Sequence, residues 1–152
     1  MYLGVAMRRL LLAMLSCAAW IPPAAWAIEL RSVETAAVLY DAPSQRGVRL
    51  FVIRRGTPLE LVVSLEGWAK VRDSEGTLAW IEKRYLSPNR SVVVKVGQAE
   101  ILMKAEDGSD RVFLAERGVG LEYQDTLPGG WIKVRHRGGQ EGFVRAGQVW
   151  GF

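Results

Sequence analysis

Cysteine and histidine are almost absent from this chain: each occurs once in 152 residues. The single cysteine, Cys17, lies in an N-terminal segment that reads as removable, so the remainder has none. That excludes disulfides, cysteine metal sites and thiol catalysis from the mature part. The single histidine, His136, removes histidine-rich zinc sites and leaves a serine-hydrolase triad only one possible base. Surplus positive charge is also missing. Setting aside Arg8 and Arg9 takes the basic count from 20 to 18 against 16 acidic residues, a net +2. Nucleic-acid binding needs clustered positive charge and is not expected. No phosphate-cradling glycine loop and no metal-ligand spacing occurs, so neither cofactor nor metal is expected. His136 precedes a glycine-rich turn and reads as a solvated loop residue. Asp73 and Glu75 share a turn and read the same way. Together these absences point to a protein that is not an enzyme.

What is present begins with a leader. Arg8 and Arg9 precede an apolar run from Leu10, Pro22 and Pro23 interrupt it, and Ala25-Trp26-Ala27 places small residues where signal peptidase needs them. This order predicts a secretory signal over residues 1–27, cleaved after Ala27, and a periplasmic or secreted product with no stable membrane insertion. The uncharged span Leu10–Ile28, 19 residues long, leaves an uncleaved inner-membrane anchor as the alternative. Lipoprotein processing at Cys17 and a twin-arginine signal each fit their patterns poorly.

The remainder repeats itself. Gly67-Trp68-Ala69-Lys70-Val71-Arg72 recurs as Gly130-Trp131-Ile132-Lys133-Val134-Arg135, an offset of 63. At the same offset Ala79-Trp80-Ile81 pairs with Gly142-Phe143-Val144, and Val38-Leu39 with Ile101-Leu102. A one-residue adjustment aligns Phe51 with Phe113 and Arg55-Gly56 with Arg117-Gly118. Two copies are too few for a solenoid, so the pattern predicts tandem domains, 28–87 and 88–152, meeting at Ser87-Pro88-Asn89-Arg90. So short a linker keeps them in contact. Within each copy, Leu59–Val63, Trp68–Arg72 and Leu78–Ile81 read as strands separated by glycine-containing turns. No apolar 3.6 period persists after Ile28. The fold class expected is therefore all-β: two small barrels or sandwiches in tandem. A domain of ~60 residues buries only about 60% of its chain surface, and packing against its twin helps to offset that.

The series Gly67, Trp68, Lys70, Val71, Arg72, Gly76, Ala79, Trp80, Ile81, Tyr85 and Leu86 resembles the C-terminal half of a bacterial SH3-like (SH3b) domain. Leu39-Tyr40-Asp41-Ala42-Pro43-Ser44 resembles that family's early segment, with Pro43 and Ser44 matching outright. The resemblance implies tandem SH3-like β-barrels, and a non-catalytic role in binding cell-wall peptides, glycans or envelope proteins. Alternation puts Ala69 and Val71 on the buried face and Trp68, Lys70 and Arg72 outside. By resemblance Trp68 occupies the ligand-facing position, with Tyr40 and Tyr85 bordering the same groove beside Lys70. Aromatic platforms of this kind suit extended peptide or sugar–peptide ligands. Trp131 and Lys133 are the second-copy equivalents, in a weaker setting because Met103, Phe143 and Gln148 replace Tyr40, Trp80 and Tyr85. The competing reading has Trp68 and Trp131 covering the domain seam or capping their own barrels, with Trp80 structural and Trp150 a plug. A periplasmic protein–protein adaptor built on the tandem barrels is the alternative function. Arg46, Arg49, Arg54 and Arg55 flank Phe51-Val52-Ile53. They fit either contact with acidic wall polymers or an edge strand guarded by charge.

Overall fold

Alternation of buried and half-buried residues in Trp68–Arg72 is what a strand with one face on a core requires. The computed structural model describes residues 28–152. The leader, its cleavage after Ala27 and the anchor alternative lie outside the described residues. The first domain contains β1 (Glu29–Val33), β2 (Ala37–Tyr40), β3 (Arg49–Ile53), β4 (Pro58–Ser64), β5 (Trp68–Arg72), β6 (Leu78–Glu82) and β7 (Leu86–Ser87). The second contains β8 (Ser91–Val94), β9 (Gln98–Leu102), β10 (Arg111–Glu116), β11 (Gly120–Leu127), β12 (Trp131–Arg135), β13 (Glu141–Arg145) and β14 (Val149–Trp150). A single 3₁₀ turn precedes β7 and another precedes β14. Each set forms one seven-stranded antiparallel sheet, in the orders β3-β2-β6-β5-β4-β1-β7 and β10-β9-β13-β12-β11-β8-β14. The two orders are identical position for position. No helix among the described residues is long and apolar enough to cross a membrane.

Each sheet has its own core. Val33, Leu39, Leu59, Val71 and Ile81 meet in the first, and Val94, Ile101, Leu121, Val134 and Val144 in the second. Among the described residues neither helix nor second sheet covers these side chains, so each sheet must coil over its own inner face. The turns make that possible. Gly67 takes a φ of 73° where Leu65 N–H donates to the Trp68 carbonyl, closing β4 onto β5 through two residues. The equivalent turn after Leu127 has three, Pro128-Gly129-Gly130. Between β5 and β6, Asp73 Oδ1 accepts the backbone N–H groups of Glu75 and Thr77 at 2.9 Å each. His136 does the same work in the second copy: its Nδ1 accepts the Gly138 N–H at 3.2 Å. Both residues, expected to be merely solvated, organise hairpins.

The pairing corrects one alignment. Tyr40 lies opposite Trp80, and Leu102 opposite Phe143, so the counterpart of Tyr40 is Leu102 and not Met103. The offset is 62 over β2 and becomes 63 only after the longer β11–β12 turn adds its residue.

The domains touch where two glycines of the second meet the first closely. A Cβ on Gly120 would lie 3.1 Å from the Gly56 carbonyl oxygen, and one on Gly151 would lie 2.6 Å from Pro58 Cβ.

Candidate functional site

The outer face of the first sheet is built from three neighbouring strands, β2, β6 and β5. Inward-facing Ala69 and Val71 are 0% and 1% exposed, which fixes Trp68, Lys70 and Arg72 on the other side. Lys70 lies opposite Trp80, and Trp80 opposite Tyr40, so one row crosses all three strands. Tyr40 and Trp68 meet edge to face, with ring centroids 5.5 Å apart and planes at 85°. The Lys70 ammonium stands 5.9 Å from the Trp80 ring centroid, within reach of the ring's negative face. Glu82, opposite Trp68, borders the patch and is held by Gln45 Nε2 at 3.2 Å and by Arg84 at 3.0 Å. Gln45 comes from the loop after β2, which Asp41 closes by accepting the Val48 N–H at 2.8 Å. Two half-buried indoles, Trp68 and Trp80, and one cation thus form a partly open patch, backed by Tyr40, which is itself only 7% exposed. The larger cavities of the protein lie elsewhere.

Of the four residues expected at the groove, Tyr40, Trp68 and Lys70 come together and Tyr85 does not. Tyr85 packs against the inner core of the first sheet, with the Arg84 guanidinium 4.8 Å from its ring. Trp80 takes its place in the platform. The signal for it was its position opposite Lys70 across the hairpin, which makes both residues face outward.

The second copy uses the same tryptophan differently. Trp131 is 4% exposed because Arg145 lies over it, the guanidinium 4.1 Å from the ring centroid. Arg145 also donates to the Gly129 carbonyl at 3.0 Å and pairs with Asp107. Arg145 stands where the first copy has Glu82, so this closure has no counterpart around Trp68. Lys133 pairs with Glu141 at 3.6 Å. Trp131 is thus covered where Trp68 is half-buried, and Lys133 has a carboxylate partner on the surface. Among the described residues no group of three or more His, Cys, Asp or Glu side chains could hold a metal.

Glu141 has a further effect. Gln124 Nε2 donates to its Oε1 at 3.0 Å and Arg135 Nε donates to the same oxygen at 2.8 Å. These two bonds, the Gln124 bond foremost, lower its pKa to about 2. The Arg135 guanidinium is correspondingly pushed up, chiefly by its hydrogen bond to Glu141. A carboxyl whose folded pKa lies below its unfolded value of about 4.3 stabilises the fold fully above that value. The contribution is lost as pH falls toward 2. Urea midpoints of the native protein should therefore drop more steeply between pH 4.5 and 2 than those of Glu141→Gln. Parallel profiles would contradict this.

A family model described as Bacterial SH3 domain matches residues 33–88 and 95–151. The chain belongs to the bacterial SH3 domain family. Both sheets are therefore copies of one family domain in tandem, as the repeat implied. Among curated proteins none matches the sequence. Of solved structures, NlpC2 from Trichomonas vaginalis is similar at 15% identity and a TM-score of 0.37, covering 81% of this chain and 48% of that one. An NlpC/P60 family protein from Bacillus cereus shows 14% identity and a TM-score of 0.36, with 81% and 56% covered. An NlpC/P60 endopeptidase from Photobacterium damselae subsp. piscicida shows 15% and 0.36, with 82% and 33% covered. The chain spans about half or less of the length of these structures.

Proposed function

We propose that this bacterial SH3 domain protein is an exported, non-catalytic binding module. It recognises a cell-wall ligand, a peptidoglycan peptide or glycan, through the outer face of its first domain. The observation that carries this reading is the contrast between two copies of one motif. Trp68 stays open beside Tyr40, Trp80 and Lys70, whereas Trp131 is closed over by Arg145. Two half-exposed indoles with a cation beside them give apolar area for a sugar or peptide and a charge for a carboxylate. Membership of a family whose domains are typically cell-wall binding modules supports the ligand class.

Sedimentation with purified peptidoglycan tests it. The native protein should pellet, and Trp68→Ala should weaken binding roughly thirtyfold, the effect of losing an aromatic hot spot of about 2 kcal/mol. Lys133→Ala should pellet like the native protein. Failure of the native protein to pellet, or unchanged binding by Trp68→Ala, would overturn the proposal. One observation favours the adaptor reading instead: edge strand β3 exposes Leu50, Phe51 and Val52. An extended segment of a protein partner could add to that edge. Crosslinking that recovers one discrete envelope protein, with no wall binding, is the outcome expected of it.

A further inference from the structure

Between the two domains lies a cleft of about 460 Å³, walled by the ends of β1 and β7, the Arg55-Gly56 turn and the start of β11. Three side-chain polar atoms among the described residues are buried with no partner in the protein: Arg90 Nε, Ser91 Oγ and Gln124 Oε1. All three residues line this one cleft. A buried polar atom without a partner is costly, so their gathering in one place calls for a reason. Two of them are held in position. The Gln124 amide nitrogen is engaged by the Glu141 carboxylate, which leaves the amide oxygen as the unpartnered end. The Arg90 guanidinium lies 4.2 Å from the Tyr123 ring centroid. Ser91 is 5% exposed.

The surrounding charge points to the ligand. The cleft continues past Arg55 into hollows lined by Arg54, Arg117, His136 and Arg137. Among the described residues none of Arg54, Arg55, Arg90, Arg117 and Arg137 has a carboxylate within ion-pair distance. Only Glu34, Glu116 and Glu122 line the same walls with opposite charge. Arg55 and Arg90 in the cleft, with Arg54, Arg117 and Arg137 along the adjoining hollows, supply more positive charge than a single carboxylate would engage. Their planar forks match the oxygens of phosphate groups, which carry more charge and more acceptors. We infer that the junction cleft binds a phosphorylated ligand, its anionic oxygens meeting Arg55 and Arg90 and a neighbouring hydroxyl or amide meeting Ser91 and Gln124. The site shares no residue with the aromatic platform.

Titration calorimetry of the intact 28–152 chain with sodium pyrophosphate, and separately with citrate, tests this. Saturable pyrophosphate binding is expected, at least tenfold tighter than citrate. Arg55→Gln, at an exposed position, should weaken it at least tenfold, and Arg90→Gln likewise, with circular dichroism checking the fold of each. Trp68→Ala should leave it unchanged, so loss of wall binding and loss of phosphate binding are read separately. No saturable binding at low salt, equal affinity for citrate, or an unaffected Arg55→Gln variant would each overturn the assignment.

Discussion

Trp131→Ala should destabilise the second domain by about 3–5 kcal/mol, the usual cost of removing a fully packed indole. Trp68→Ala, the same change at the matching position, should cost the first domain roughly 1–2 kcal/mol. The difference comes from what covers each ring. Trp131 is almost wholly enclosed, and its removal strips the apolar surface from beneath Arg145. Arg145 would keep its bonds to Gly129 and Asp107 with nothing packed below its guanidinium plane. Trp68 is only half-buried and loses chiefly its edge contact with Tyr40. A domain of about 60 residues has a total stability of only about 3–9 kcal/mol. Trp131→Ala should therefore bring the second domain to the edge of unfolding while the first stays folded. Urea titration followed by circular dichroism should show one early and one native-like transition. A single transition displaced by less than about 1 kcal/mol would contradict the enclosed role of Trp131.

That contrast marks the limit of what the amino-acid order discloses. β5 runs over the five residues its alternation predicted, because Ala69 and Val71 are the only small apolar residues among charged and aromatic ones. The tandem organisation was legible because glycine turns recur with the strands they join. The register of β2 was not, since the extra residue sits in the β11–β12 turn and a constant offset hides it. Tyr85 was assigned to the groove by resemblance. β6 ends at Glu82, so strand alternation does not reach Tyr85, and the 3₁₀ turn Lys83–Tyr85 carries its ring onto the inner core. The cover over Trp131 could not be foreseen, because Asp107, Gly129 and Arg145 come from three separate segments. The junction cleft is hidden for the same reason: Arg55, Arg90 and Gln124 converge only when both domains are folded and docked.

The second domain meets Pro58 of the first closely at Gly151, and Gly151→Ala should break that contact at a cost of roughly 2–5 kcal/mol. Gly151 has a φ of 110°, a conformation that a side chain adopts only under strain of about 1–2 kcal/mol. A Cβ there would also stand 2.6 Å from Pro58 Cβ in the first domain and 2.7 Å from the Ser91 carbonyl oxygen in the second. Neither the rigid proline ring nor the Ser91 backbone can yield as a flexible side chain can, so overpacking adds about 1–3 kcal/mol. The relief available is to move Pro58 away from the second domain, which opens the junction. Two controls separate these contributions. Gly56→Ala meets nothing within 4 Å but has a φ of 77°, so it should show the conformational cost alone. Gly147→Ala meets nothing and needs no left-handed backbone, so it should be close to neutral. In calorimetry, Gly151→Ala should unfold in two separated steps and, in small-angle scattering, show a larger radius of gyration than either control. It should also lose pyrophosphate binding at least tenfold with every arginine intact, because the cleft exists only while the domains are docked. A midpoint and radius matching those of Gly147→Ala would show that the contact at Pro58 does not hold the domains together.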